Sequence, residues 1–206
     1  DAYNAAYDHL EEKGLKIRKG FEFGMLPDNR EQFRKDVSRR EWDFVIGSVH
    51  FVDGLDVYYS EYWEGKTPYQ AILRSFEDTL QCVKHHDAFD VLGHLTYLGK
   101  CDANPEKKPI LYNDYREVAD EIMKILVQKG IGMEFNTSGL DRCGAYLPGP
   151  EYLRRFKELG GEIVTVGSDA HHANRVGQYC GEAVQIVKDI FGYVCTFAQR
   201  KPQFHR

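Results

Sequence analysis

Apolar positions along this chain follow two alternating rhythms. Short continuous runs rich in β-branched and aromatic residues mark strands buried on both faces. Between them, apolar residues recur every three to four positions, the spacing of amphipathic helices. The pattern predicts helices over Ala5–Lys13, Asn29–Arg40, Thr67–His86, Asn113–Lys129 and Pro150–Leu159, with Ala173–Phe191 at least partly helical. Predicted strands are Leu15–Phe23, Phe44–His50, Phe89–Leu95, Ile131–Asn136 and Ile163–Ser168, with a short final strand Tyr193–Phe197 before a polar tail. Local signals support the boundaries. Thr67 is a good N-cap with Pro68 in the first turn, and Gly14, Gly130 and Gly160 follow helix ends. A repeated βα order favours an α/β fold with a parallel sheet and helices outside it.

The ends of the strands carry more information than the strands themselves. Glu22 lies in Gly20–Gly24, His50 closes Phe44–His50 and His94 closes Val91–His94. Glu134 and Asn136 end the fourth run, and Asp169 and His171 follow the fifth. In a closed βα barrel these ends converge on one face, where active sites are built. Glu, His and Asp together suit zinc, manganese or iron, and ligands from several strands suit a multinuclear site. Such a site activates water near neutral pH and neutralises phosphate oxygens, so phosphoester hydrolysis is the natural reaction. Asp169 and His171 are read as the catalytic end of this set. Lys100, Arg142 and Arg175, just beyond three of the strand ends, are candidates for binding the anionic substrate, with Thr137 to Gly139 as further donors.

The remaining histidines are assigned no chemistry. His85 and His86 end a helix, where a cation favours the dipole. His172 is expected to point away from His171, and His9 and His205 to lie on the surface. Tyr58, Tyr59, Tyr62 and Trp63 form an aromatic loop after His50, read as anchoring.

Bulk properties narrow the picture. Hydrophobic residues make up 42% of the 206, enough for one sizeable core, so 1–206 is expected to be a single domain. A net charge of −5 argues against nucleic acid as a partner, and no apolar run long enough for a membrane span exists. Five widely spaced cysteines with no Cys-x-x-Cys, and no signal peptide, fit reduced thiols in a cytoplasmic protein.

Gly20–Gly24, Asp43–His50, Asp90–Leu95, Glu134–Leu140 and Gly167–Gly177 together resemble the polymerase-and-histidinol-phosphatase (PHP) superfamily, and within it the histidinol-phosphatase branch. The resemblance implies a distorted seven-stranded (β/α) TIM-like barrel and up to three divalent metal ions. It implies Glu22, His50, His94, Asp169 and His171 as ligands, with Glu22 bridging, and Arg142 and Lys100 as phosphate holders. The implied reaction is hydrolysis of L-histidinol phosphate in histidine biosynthesis. The family opens with His-x-His on its first strand and has another histidine after the second; this chain has neither. It therefore reads as a PHP-type barrel lacking the first two βα units, with exposed sheet edges that invite self-association. The alternatives are a non-catalytic metal-binding module of this type, or a metallohydrolase acting on another substrate.

Overall fold

Parallel pairing levels the ends of strands that lie far apart in the sequence. In the computed structural model, which describes residue 14 and residues 16–206, strands β1 (Gly20–Gly24), β2 (Phe44–Ser48), β5 (Val91–Leu92), β6 (Gly132–Asn136) and β7 (Val164–Gly167) form one sheet in that spatial order. Every pairing is parallel, with Gly24 level with Ser48, Gly47 with Leu92, Leu92 with Met133 and Asn136 with Gly167. Strand order follows chain order without reversal, which is the order of a barrel wall and not of a doubly wound sheet. The α/β reading with a parallel TIM-like wall therefore holds. The predicted helix Ala5–Lys13 lies outside the described residues, as does Leu15.

The helices sit where the 3.6-residue rhythm put them: α1 (Arg30–Ser38), α3 (Pro68–His85), α4 (Arg116–Lys129), α6 (Pro150–Glu158) and α7 (Cys180–Phe191), with short helices α2 (Ser60–Trp63) and α5 (Leu140–Cys143) between them. A reciprocal cap of Thr67 and Gln70 starts α3. Helix α4 buries Ala119, Ile122, Met123 and Leu126, a single stripe at i, i+3, i+4 and i+7, and ends on Gly130 in the left-handed region. These side chains join one continuous core with Val45, Leu92, Met133, Phe135 and Val164 of the sheet. Among the described residues no helix is long and apolar enough to cross a membrane.

Three segments depart from the pattern reading. The polar tail is itself a strand: β8 (Val194–Ala198) and β9 (Lys201–His205) form an antiparallel hairpin outside the parallel sheet. Its turn lies at the N-terminal ends of the parallel strands, where Arg200 donates to Asp90 at 2.6 Å and to the Ala88 carbonyl at 3.0 Å. Phe197 of the predicted final strand stacks on Phe44 at 4.9 Å, and Phe204 of the tail packs 5.0 Å from the Tyr193 ring, an apolar contact within the otherwise polar tail. A second hairpin, β3 (Phe51–Val52) with β4 (Leu55–Asp56), follows His50 directly. Its turn is Asp53-Gly54, both with positive φ (53° and 77°), the conformation a two-residue hairpin turn requires. His86 is not a surface cation at a helix end. It is 1% exposed, its Nε2 lies 2.8 Å from the Leu26 carbonyl, and burial lowers its pKa.

Helices α4 and α6 are pinned by one charge pair. Arg155 donates to Asp120 from Nε at 3.0 Å and Nη2 at 2.6 Å, and Tyr112 donates to the same carboxylate at 2.6 Å. The bonds from Arg155 hold the Asp120 carboxyl below the ordinary range, against its partial burial. A carboxyl lowered in the folded state contributes stability in full above its ordinary pKa of about 3.9. The contribution is lost as pH falls through the folded value. Because Arg155 is a third exposed, Asp120→Asn should cost only about 1 kcal/mol at pH 7. Urea melts of the two proteins should converge as pH drops below the ordinary carboxylate range.

Candidate active site

Glu22, His50 and His94 reach one point from three adjacent strands. Glu22 projects from within β1, while His50 and His94 each stand two residues past the last paired residues of β2 and β5. His94 Nε2 lies 2.9 Å from Glu22 Oε1, His50 Nε2 lies 3.4 Å from the same oxygen, and the two imidazole nitrogens are 3.3 Å apart. One donor atom from each falls within 4.8 Å of the others, a spacing at which a single cation can be shared. Burial alone would raise the Glu22 carboxyl. Hydrogen bonds from His50 and His94, with the charge of His94, instead bring it far below its ordinary value. His94 is 3% exposed, and although burial opposes its charge, Glu22 raises its pKa. Two imidazole nitrogens and a carboxylate oxygen aimed at each other form the donor set of a zinc-type centre, which this cluster could hold.

A buried layer supports the cluster. Glu134 accepts the His94 backbone N–H at 3.0 Å and the Asn136 amide at 3.1 Å. Asn136 Oδ1 accepts from Ser138 Oγ at 2.6 Å, and Ser138 Oγ accepts from Lys100 Nζ at 2.7 Å. A continuous chain of hydrogen bonds thus links His94 to Lys100. Gly167 makes room for it: a Cβ there would sit 2.3 Å from Glu134 Oε1. Burial raises the Glu134 carboxyl, with His94 opposing.

Asp169 and His171 lie on the same mouth but not in the three-atom cluster. Asp169, at φ 49°, is bonded to Lys100 Nζ at 2.6 Å. His171 is 81% exposed, its Nδ1 3.0 Å from the Asp169 carbonyl oxygen. Although His172 is expected to point away from His171, both line the mouth.

Lys100, Arg142 and Arg175 share the wall of a cavity of about 720 Å³ that continues over Glu22, His50 and His94. Each cation already meets a carboxylate: Lys100 meets Asp169, Arg142 meets Asp102 at 2.7 Å, and Arg175 meets Asp141 at 2.6 Å. Tyr58 and Tyr59 line this cavity, whereas Tyr62 and Trp63 are buried in the core. Phe51, Asp56 and Tyr97 line these cavities and escaped the sequence reading. Tyr97 packs its ring 4.8 Å from that of His94 and beneath Lys100 Nζ at 5.0 Å. Asp56 closes the β3–β4 hairpin, and the Asp-Gly pair between Phe51-Val52 and Leu55 was the signal that could have located the hairpin.

Residues 1–138 match the PHP domain model. The chain belongs to the PHP domain family. Among relatives of this PHP domain is a probable histidinol-phosphatase of Clostridium acetobutylicum, 30% identical over 192 residues, covering 92% of this chain and 73% of the relative. A histidinol-phosphatase of Lactococcus lactis is 28% identical over 189 residues, 91% of this chain and 70% of its own. Among solved structures, the histidinol phosphate phosphatase of Lactococcus lactis complexed with zinc, L-histidinol and phosphate superposes with a TM-score of 0.86 at 25% identity. The match covers 98% of this chain and 78% of that one. The putative histidinol phosphatase of Listeria monocytogenes shares the fold, with a TM-score of 0.70 at 20% identity over 87% of this chain and 74% of that one.

Removing one donor should open the cluster. His94→Ala is expected to weaken zinc binding by about a hundredfold or more, since even indirect partners of a ligand are worth ten- to a hundredfold. Competition against a zinc-sensitive chelator measures this, with circular dichroism confirming the fold.

Proposed function

We propose that this PHP domain is a metal-dependent phosphatase that hydrolyses L-histidinol phosphate to L-histidinol and phosphate. One observation carries the reading: the Glu22–His50–His94 donor set opens into the same cavity as Lys100, Arg142 and Arg175. Relatives named histidinol-phosphatase, and a structural relative holding zinc, L-histidinol and phosphate, support the substrate.

The residues present fit a divalent ion, because the two imidazoles and the carboxylate crowd one point with no other cationic partner between them among the described residues. When bound, such an ion lowers the pKa of water and screens the charge of a phosphoryl group. Glu22, His50 and His94 would hold it, and Asp169 and His171 at the rim would be the further ligands in this reading. Lys100, Arg142 and Arg175 attract and orient the phosphate dianion. Their present pairing with carboxylates keeps the cavity from carrying three uncompensated charges before substrate arrives. The hydrogen-bond chain through Ser138, Asn136 and Glu134 fixes the Lys100 ammonium relative to His94, so phosphate position and metal position are set together.

The zinc- or manganese-loaded full-length protein should release phosphate from histidinol phosphate and lose that activity to a chelator. Absence of chelator-sensitive release would overturn the proposal. Arg142→Ala removes one charge-assisted contact present in ground and transition state alike. It should raise KM by about tenfold with a smaller change in kcat. Steady-state kinetics on the two proteins checks this split.

A further inference from the structure

Three carboxylates line the connected cavities, and two already have cationic or imidazole partners. Glu22 is bonded to both histidines and Asp169 to Lys100. Asp56 lines the cavity over the Glu22–His50–His94 cluster and the larger cation-walled cavity alike, and forms no ion pair among the described residues. Its Oδ1 accepts the backbone N–H of Tyr58 at 2.9 Å, and its second oxygen has no donor among the described residues.

Its position is fixed. Asp56 pairs with Phe51, the residue after His50, in the β3–β4 ladder. Val57 N–H donates to the His50 carbonyl at 3.0 Å. The turn residue Asp53 is clamped by Arg74 of α3, from Nε at 3.1 Å and Nη2 at 2.7 Å. A hairpin held at both ends thus places a carboxylate with no ion-pair partner among the described residues in the wall of the cavities that hold the Glu22–His50–His94 cluster and the phosphate-attracting cations. Tyr58, Tyr59 and Tyr97 supply aromatic surface around it.

We infer that Asp56 is a specificity-determining residue that receives the ammonium group of the substrate. The inference rests on the phosphatase reading and names the group at that site that distinguishes an amino-alcohol phosphate from other phosphate monoesters. In histidinol phosphate the amine sits on the carbon next to the ester-bearing carbon, so the cation is held close to the phosphate. A cation wall for the phosphate needs a nearby carboxylate for that amine. For a monoester with no amine, the same carboxylate repels the phosphate, so Asp56 favours one substrate and disfavours the other.

The test compares L-histidinol phosphate with its deaminated analogue, 3-(imidazol-4-yl)propyl phosphate, on the metal-loaded wild-type protein and on Asp56→Asn. Asparagine keeps an oxygen for the Tyr58 N–H and removes only the charge. Loss of a charge-assisted contact should lower kcat/KM for histidinol phosphate by about ten- to a hundredfold. The value for the analogue should stay constant or rise. An equal fall for both substrates, with altered zinc content, would make Asp56 structural and overturn the inference, as would no change for either. Turnover of neither substrate by the wild-type protein would sink the phosphatase reading alone. Calorimetric titration with L-histidinol, which needs no turnover, then decides the role of Asp56. Binding about tenfold weaker or more in the variant supports it, and equal binding overturns it.

Discussion

The approach of Glu22, His50 and His94 within hydrogen-bonding distance depends on parallel register, and most of the site inherits that constraint. Parallel strands in sequence order bring their C-terminal ends level, so polar residues just past each strand share one face. A slip of one residue in β1 would carry Glu22 to the opposite side of the sheet. The register is held by what lies between the strand ends and the core: Val45, Leu92, Met133 and Val164 packed against α3, α4 and α6. The apolar rhythm of the chain therefore determines where its charges meet.

Charge in this face is arranged in pairs rather than as a bare cationic patch. Lys100, Arg142 and Arg175 each meet an aspartate, and the histidines meet Glu22. Isolated charges so close together would cost desolvation and mutual repulsion. Pairing keeps the apo face stable while leaving groups that a phosphate dianion can rebond. Buried beneath it, Glu134 and Asn136 connect the histidine end to the lysine end through oriented hydrogen bonds. Such a layer limits the freedom of side chains that chemistry requires to be still.

Two hairpins trim the sheet at opposite ends. The β8–β9 hairpin seals the N-terminal ends of the strands through Arg200 and Phe197. The β3–β4 hairpin overhangs the C-terminal ends and carries Asp56 to the cavity. Neither belongs to the βα rhythm. The β8 arm of the first matches the predicted final strand Tyr193–Phe197, but its β9 arm is too polar to read as a strand in isolation, and the second hairpin is two residues long on each side, so tertiary contacts decide β9 and the β3–β4 pair.

The sequence by itself determined the strand–helix alternation, the parallel class and the polar residues at the strand ends, because buried strands and amphipathic helices leave periodic signatures. It identified Glu22, His50 and His94 as residues that could share a face, and Lys100, Arg142 and Arg175 as cations near it. Only tertiary structure decided which of them touch. Asp169 turned through a positive φ and bonded Lys100, an outcome that no local spacing encodes. His171 and His172 both reached the mouth, where simple alternation would have separated them. Tyr97 has no mark among its neighbours along the chain, and Asp53-Gly54 marks a turn near Asp56 without saying what its carboxylate faces; the importance of both lies in what the fold places around them, across distances that the linear pattern does not record.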